Sequence, residues 1–188
     1  MKYFTNELVA AANDWIEQTE QRRLDAERQF LETVKQYNRS LQDLKPRISR
    51  QAWNFFEHGY GRWGLHDGRL ISFEIGDGLD YRPDGSSPFR INHQRTTASV
   101  RFLNYEQDLL YTFDLRGISR VRSDLLRCEG PKWHLGDLFT YEIVAVDENL
   151  LQLGFLFASG ASIVAHFTKL IFHRKRIERK YPAGEMYR

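Results

Sequence analysis

YGRWGLHDG, residues 60–68, is the stretch of this sequence that separates two different patterns of hydrophobicity. We call it the junction segment. On its N-terminal side, apolar residues recur at helical spacing for about fifty residues, and on its C-terminal side they alternate at strand spacing almost to the end of the chain. Because helices come first and strands follow in one block, the sequence predicts an α+β fold with an antiparallel sheet.

The composition is that of an ordinary folded protein. Of the 188 residues, 41% are hydrophobic and 28% are charged, unlike the composition of a disordered chain. The formal net charge of +2 gives the whole molecule little attraction for nucleic acids or membranes. The single cysteine, Cys128, excludes an internal disulfide and suits a reducing compartment. The sequence shows no signal peptide and no membrane span, so we expect a cytoplasmic protein.

The first 58 residues predict a helical arm or hairpin. Thr5 or Asn6 can cap a helix, and no proline or glycine interrupts the sequence from Glu7 to Lys45. An unbroken helix of that length would extend roughly 60 Å, so part of it must project, fold back or pack on another chain. Its apolar residues follow a heptad-like stripe: Phe30, Val34, Tyr37, Leu41 and Leu44.

A second helix is predicted from Pro46 to His58, because proline is tolerated in a first helical turn and apolar residues recur after it. We expect the two helices to form a hairpin over one face of the sheet. The heptad-like stripe is then either part of the core or the interface of a homodimer formed through the arm. The pattern favours the core, because only two heptads are convincing.

Residues 59–188 predict an antiparallel β domain that ends in a basic segment. Ile71, Phe73 and Ile75 alternate with more polar residues, which indicates a strand with one buried face. Short loops of the kind found in hairpins separate the last predicted strands. A loop rich in turn-forming residues follows Gly76, and its acidic residues do not have the spacing of a calcium loop. Further strands are predicted at Thr97–Leu103, Leu109–Leu115, Ile118–Arg122, Phe139–Val146, Leu150–Ala158 and Ser162–Phe172.

Histidines on both sides of the junction segment suggest two interpretations. Imidazole and carboxylate are zinc ligands, so His58, His66, Asp67 and His134 would form a metal site if they converged. Alternatively, Asp67-Gly68 forms a turn and the His66 ring holds the junction together by hydrogen bonds. The second interpretation needs no long-range convergence, and the sequence favours it.

Two further groups of side chains are candidates for binding. Aromatic residues with an arginine are typical of protein interfaces, although large rings also fill cores; the candidates are Tyr60, Arg62, Trp63 and Trp133. The basic segment near the C-terminus is either a solvated strand edge or a nucleic-acid contact. Its cations are Arg174, Lys175, Arg176, Arg179 and Lys180.

Two stretches carry a resemblance to known proteins. The opening Met-Lys-Tyr-Phe-Thr, residues 1–5, and the strand entry Leu-His-Asp-Gly-Arg-Leu-Ile, residues 65–71, resemble a bacterial family of unknown function. Members often have an aromatic residue soon after the opening, where this chain has Leu8 and Val9. The His-Asp strand entry is also similar to that of small immunity proteins of bacterial toxin systems. The resemblance implies a fold and assigns no catalytic residues.

No dinucleotide-binding, phosphate-loop or nucleophile motif occurs in the sequence, so we expect no cofactor. The function that fits best is non-enzymatic binding of a protein, similar to an immunity protein. A metal-dependent hydrolase that uses the four residues named above is one alternative. Nucleic-acid binding through the basic segment is the other.

Overall fold

Two helices and eight strands make up the part of the chain described by the computed structural model, which covers residues 1–5, 7–8, 20–58, 64–76, 96–124 and 137–178. The helices are α1 (Glu20–Leu44) and α2 (Arg50–His58). The strands are β1 (Arg69–Gly76), β2 (Thr97–Leu103), β3 (Leu109–Arg116), β4 (Arg120–Asp124), β5 (Leu138–Ala145), β6 (Leu151–Phe157), β7 (Ser162–Phe167) and β8 (Lys169–Arg176). The predicted loop after Gly76 lies outside the described residues.

The α+β fold with antiparallel strands is confirmed, but the strands form two sheets and not one. The first sheet has the order β1-β2-β3-β8 and the second β4-β7-β6-β5, with four strands each. Every pair is antiparallel. Buried aromatic and aliphatic side chains of both sheets form one core, in which Phe102 of the first sheet lies 4.7 Å from Phe155 of the second, measured between ring centroids.

The prediction of one long strand over Ser162–Phe172 is wrong, because the chain changes sheets at Thr168. The Thr168 backbone N–H and side-chain hydroxyl both donate to the Arg116 carbonyl, at 3.0 and 3.1 Å. Next to them, Gly117 has a φ of +64°, a conformation that disfavours side chains, and a Cβ there would collide with Thr168. The β3–β4 and β7–β8 connections therefore bend together at one corner.

At the other end of the sheets, the turn that precedes β1 is hydrogen-bonded to the start of β5. The Asp67 N–H donates to the Leu138 carbonyl at 2.9 Å, and the Leu138 N–H donates to the Gly68 carbonyl at 2.7 Å. A Cβ on Gly68 would lie 2.8 and 2.9 Å from the carbonyl oxygens of Leu65 and Leu103, so only glycine fits. The C-terminal half of the junction segment thus joins the two sheets as well as separating helices from strands.

Helix α2 begins at Arg50 and not at Pro46 as predicted, because Ser49 caps it. The Ser49 hydroxyl accepts a hydrogen bond from the Ala52 N–H at 3.2 Å, which is the geometry of an N-cap. The helical hairpin does not cover one sheet face either. Phe55 contacts both sheets, with ring centroids 4.7 Å from Phe172 in β8 and 5.2 Å from Tyr141 in β5.

Helix α1 buries only its second half. Tyr37, Leu41 and Leu44 of the heptad-like stripe are 1% exposed, and Phe30 and Val34 pack against the core. The first ten residues of the helix are mostly exposed, so they contribute little to the core. Near the N-terminus, Thr5 accepts a hydrogen bond from the Leu8 N–H at 3.3 Å, which fits the predicted cap. Among the described residues, no helix is both long enough and apolar enough to cross a membrane.

Candidate functional site

The His66-Asp67 pair lies in the predicted turn. The Gly68 N–H donates to the Leu65 carbonyl at 2.8 Å, and Asp67 has a φ of 60°. His66 Nδ1 is 3.0 Å from Asp67 Oδ2, and both side chains are about half exposed. The imidazole also packs near the Phe139 ring, with centroids 5.6 Å apart. These contacts give the pair a structural role at the start of β1.

The other predicted metal ligands do not join this pair in the described part of the chain. His58 lies at the end of α2, is 74% exposed and has its Nε2 atom 3.3 Å from the Glu57 carboxylate. His134 lies outside the described residues. Within the described ranges, no group of three or more His, Cys, Asp or Glu side chains is placed to hold a metal ion. The metal-site hypothesis therefore rests on the sequence alone.

The predicted aromatic binding residues, Tyr60, Arg62, Trp63 and Trp133, all lie outside the described residues, as do Arg179 and Lys180 of the basic segment. The remaining cations of that segment lie in β8, an edge strand of the first sheet.

Strand geometry separates the basic side chains of β8. Successive residues point to opposite faces, so Lys175 lies on the other face from Arg174 and Arg176. Arg174 hydrogen-bonds to the buried Tyr111 hydroxyl. Burial raises the pKa of this hydroxyl, and the nearby guanidinium partly opposes the shift. Of the three cations, Arg174 is therefore engaged in a contact within the protein.

A buried carboxylate, not predicted from the sequence, holds the N-terminus. Glu142 of β5 is 0% exposed and accepts hydrogen bonds from three successive backbone N–H groups, those of Lys2, Tyr3 and Phe4. The Tyr3 and Phe4 bonds are 2.9 and 3.2 Å long. We call residues Met1–Thr5 the N-terminal strap. The signal in the sequence is a single acid within the apolar stretch FTYEIVAV, residues 139–146.

Aromatic contacts also hold the strap. Phe4 is fully buried, with its ring centroid 5.3 Å from Tyr37 and 6.0 Å from Phe30. The Tyr3 ring also lies 5.6 Å from that of Tyr37. The strap therefore connects α1 to the second sheet.

A short chain of polar side chains continues from Glu142 to the sheet surface. The Gln152 amide N–H₂ lies 3.5 Å from a Glu142 oxygen, and the Gln152 carbonyl oxygen is 3.0 Å from His166 Nε2. An amide oxygen only accepts, so the His166 Nε2 atom carries the proton in its contact with Gln152. This arrangement fixes the position of the ring proton.

His166 predicts a small pH dependence of stability. Burial, and secondarily the charge of Arg120, lowers its pKa from the ordinary value of 6.5. Between that lowered pKa and 6.5 the unfolded chain binds more protons than the folded one, so stability falls as the pH drops through this window. Because the ring is partly exposed, solvent screening keeps the effect small.

We expect the variant His166→Gln to lose that part of the pH dependence. Urea unfolding of both proteins at pH 5, 6, 7 and 8 measures it. Equal slopes of unfolding free energy against pH in the two proteins would contradict the prediction.

The edges of the two sheets are protected in different ways. The β5 edge is covered by α1, where the Tyr37 hydroxyl accepts a hydrogen bond from the Ile143 N–H at 3.2 Å. The β4 edge is short and carries Arg120 and Arg122, and the β8 edge ends in cations. Covering helices and charged side chains are both known protections against unwanted strand pairing.

The β1 edge differs from these three. Within the described part of the chain, β1 pairs with β2 alone, and its isoleucines Ile71 and Ile75 are 56% and 55% exposed. The prediction that Ile71, Phe73 and Ile75 share one buried face is wrong for Ile71, because a bulge between Leu70 and Ser72 takes it out of the alternation. Phe73 and Ile75 do share a face, but Ile75 stays exposed there. We call Leu70–Gly76 the β1 edge.

No protein-family model, curated protein or solved structure matches this chain. The resemblance to a bacterial family therefore stays a prediction.

Proposed function

We propose that this chain is a non-enzymatic protein-binding module that takes up an extended segment of a partner protein as an added strand on the β1 edge. The observation that supports it best is the contrast among the sheet edges of the described residues. Three are covered, short or rich in cations, whereas the β1 edge combines unpaired main-chain groups with two exposed isoleucines and the single charge of Glu74. Strand addition uses this combination, because main-chain hydrogen bonds give affinity and alternate side chains give specificity.

The size of the β1 edge suits a short segment. Leu70–Gly76 contains seven residues and extends about 23 Å at the usual rise of a strand. Roughly half of the main-chain N–H and C=O groups of a strand point to each side, so those not directed at β2 remain for a partner. Burial of the two isoleucine side chains would add hydrophobic stabilisation to these hydrogen bonds.

The polar groups that suggested chemistry have structural roles in this proposal. The His66 and Asp67 side chains pair with each other in the turn that starts β1. Glu142 is occupied by the amides of the N-terminal strap. Among the described residues, no observation supports the hydrolase or the nucleic-acid alternative as strongly as the exposed β1 edge supports protein binding.

A peptide selection tests the proposal. Random eight-residue peptides displayed on phage are selected against the full chain, and amide hydrogen exchange locates the site of those that bind. We expect binding peptides to protect the amides of Ser72–Gly76. The variant Ile75→Lys should weaken their binding at least about tenfold, because it places a flexible cation at the apolar edge.

Leu24→Lys is the matched control, since Leu24 is 44% exposed and lies in the mostly exposed first half of α1. It should leave peptide binding unchanged. The proposal is wrong if the selected peptides protect another segment, or if they bind the parent and the Ile75→Lys variant equally well.

A further inference from the structure

We propose that the segment taken up by the β1 edge has aliphatic residues on the face that Phe73 and Ile75 share and a lysine or arginine directly opposite Glu74. This inference rests on the proposed function and specifies the chemistry of the partner. Three features support it: the register of β1, the charges around Glu74, and the contacts that block the β1 edge at the start of the strand.

The register assigns each side chain of β1 to a face. Phe73 pairs with Val100 and Ile75 pairs with Ala98, and both partners are buried in the core. Glu74 pairs with Ser99 and therefore points to the opposite face. A strand added beside β1 continues both faces, so its alternate residues meet an apolar surface on one side and Glu74 on the other.

Among the residues that the structure describes, Glu74 is the charge nearest to the added strand on its polar face. Its side chain is 60% exposed, and its only described ion pair is with Arg101 of β2, at 3.6 Å. A residue opposite Glu74 would have its Cβ about 5 Å away. The backbone of Arg101 would be two strands away, but its guanidinium already contacts the Glu74 carboxylate, so an added lysine or arginine would share that carboxylate with Arg101. The acid therefore determines which charge is preferred at that position.

The length of the segment is limited at the start of β1. The Arg69 guanidinium lies 3.6 Å from the Asp137 carboxylate, and the Gly68 carbonyl accepts the Leu138 N–H. These contacts bring β1 and β5 together, so an added strand cannot extend past Leu70. The bulge at Ile71 disturbs the next position. The segment therefore has about five to seven residues in the extended conformation.

A charge exchange tests this inference. The probes are two seven-residue peptides, acetylated and amidated, in which valine alternates with lysine in one and with glutamate in the other. At 150 mM salt, we expect the parent to bind the lysine peptide about three- to tenfold more tightly than the glutamate peptide. The variant Glu74→Lys should reverse this preference. A reversal cannot arise from misfolding, which would weaken both interactions.

Asp114→Lys is the matched control. Asp114 lies on β3, two strands from β1, and the substitution changes the net charge by the same amount. It should keep the preference of the parent. If Asp114→Lys and Glu74→Lys alter the preference equally, the effect is one of overall charge and the inference is wrong.

The two proposals fail in different ways. If the lysine peptide does not bind, or if both peptides bind the parent and Glu74→Lys equally, the basic specificity is wrong. The protein-binding function would still stand if selected peptides protect β1 and are lost in Ile75→Lys. If selected peptides protect another segment, both proposals are wrong.

Discussion

Replacing Phe55 with alanine is expected to lower the free energy of unfolding by about 3–5 kcal/mol, the usual cost of removing a buried phenylalanine. The side chain is 8% exposed and its ring lies within 6 Å of rings on β3, β5 and β8. Few surrounding groups can move to fill the cavity, because rigid aromatic rings from both sheets surround it. Urea unfolding measures the loss, and the melting temperature should fall by roughly 10 °C.

Tyr105→Ala is the control for this substitution. Tyr105 is also aromatic but is 69% exposed in the turn between β2 and β3, so its replacement should change the stability by less than about 0.5 kcal/mol. If Phe55→Ala were as mild as Tyr105→Ala, helix α2 would not be a part of the core that holds the two sheets together.

Replacing Glu142 with alanine is expected to cost about 3 kcal/mol and to release the N-terminal strap. The backbone N–H groups of Lys2, Tyr3 and Phe4 lose their acceptor, and each unsatisfied buried donor costs about 1–3 kcal/mol. The strap can limit this cost by detaching into water, which in turn gives up the burial of the Phe4 side chain, worth about 1.5–3 kcal/mol. Urea unfolding and hydrogen exchange of residues 2–4 measure the two effects.

Two variants make the Glu142 prediction specific. Glu142→Gln keeps one carbonyl acceptor but turns an amide donor toward backbone donors, so its cost should lie between those of the parent and Glu142→Ala. Glu148→Ala removes an exposed acid from the β5–β6 turn and should be nearly neutral. Unchanged exchange of residues 2–4 in Glu142→Ala would show that the carboxylate does not hold the strap.

Local patterns in the sequence predicted most of the elements. The strands Thr97–Leu103 and Leu109–Arg116 lie within one residue of their predicted bounds, because alternating apolar residues and turn formers act over a few positions. The turn at Asp67-Gly68 was predicted for the same reason, since residue types and close hydrogen bonds determine it. The burial of Tyr37, Leu41 and Leu44 also follows their helical spacing.

The sequence alone determined the fold class, the order of the helices and strands, and the turn at the start of β1, because each depends on residues close together along the chain. Only the tertiary structure decided that the strands divide into two sheets at Gly117 and Thr168, that Glu142 holds amides almost 140 residues away, and that β1 has an uncovered edge. Corners, buried hydrogen-bond partners and sheet edges depend on which distant segments become neighbours. Periodicity carries no information about such neighbours, because the same apolar strand has the same pattern at an edge as it has at a corner.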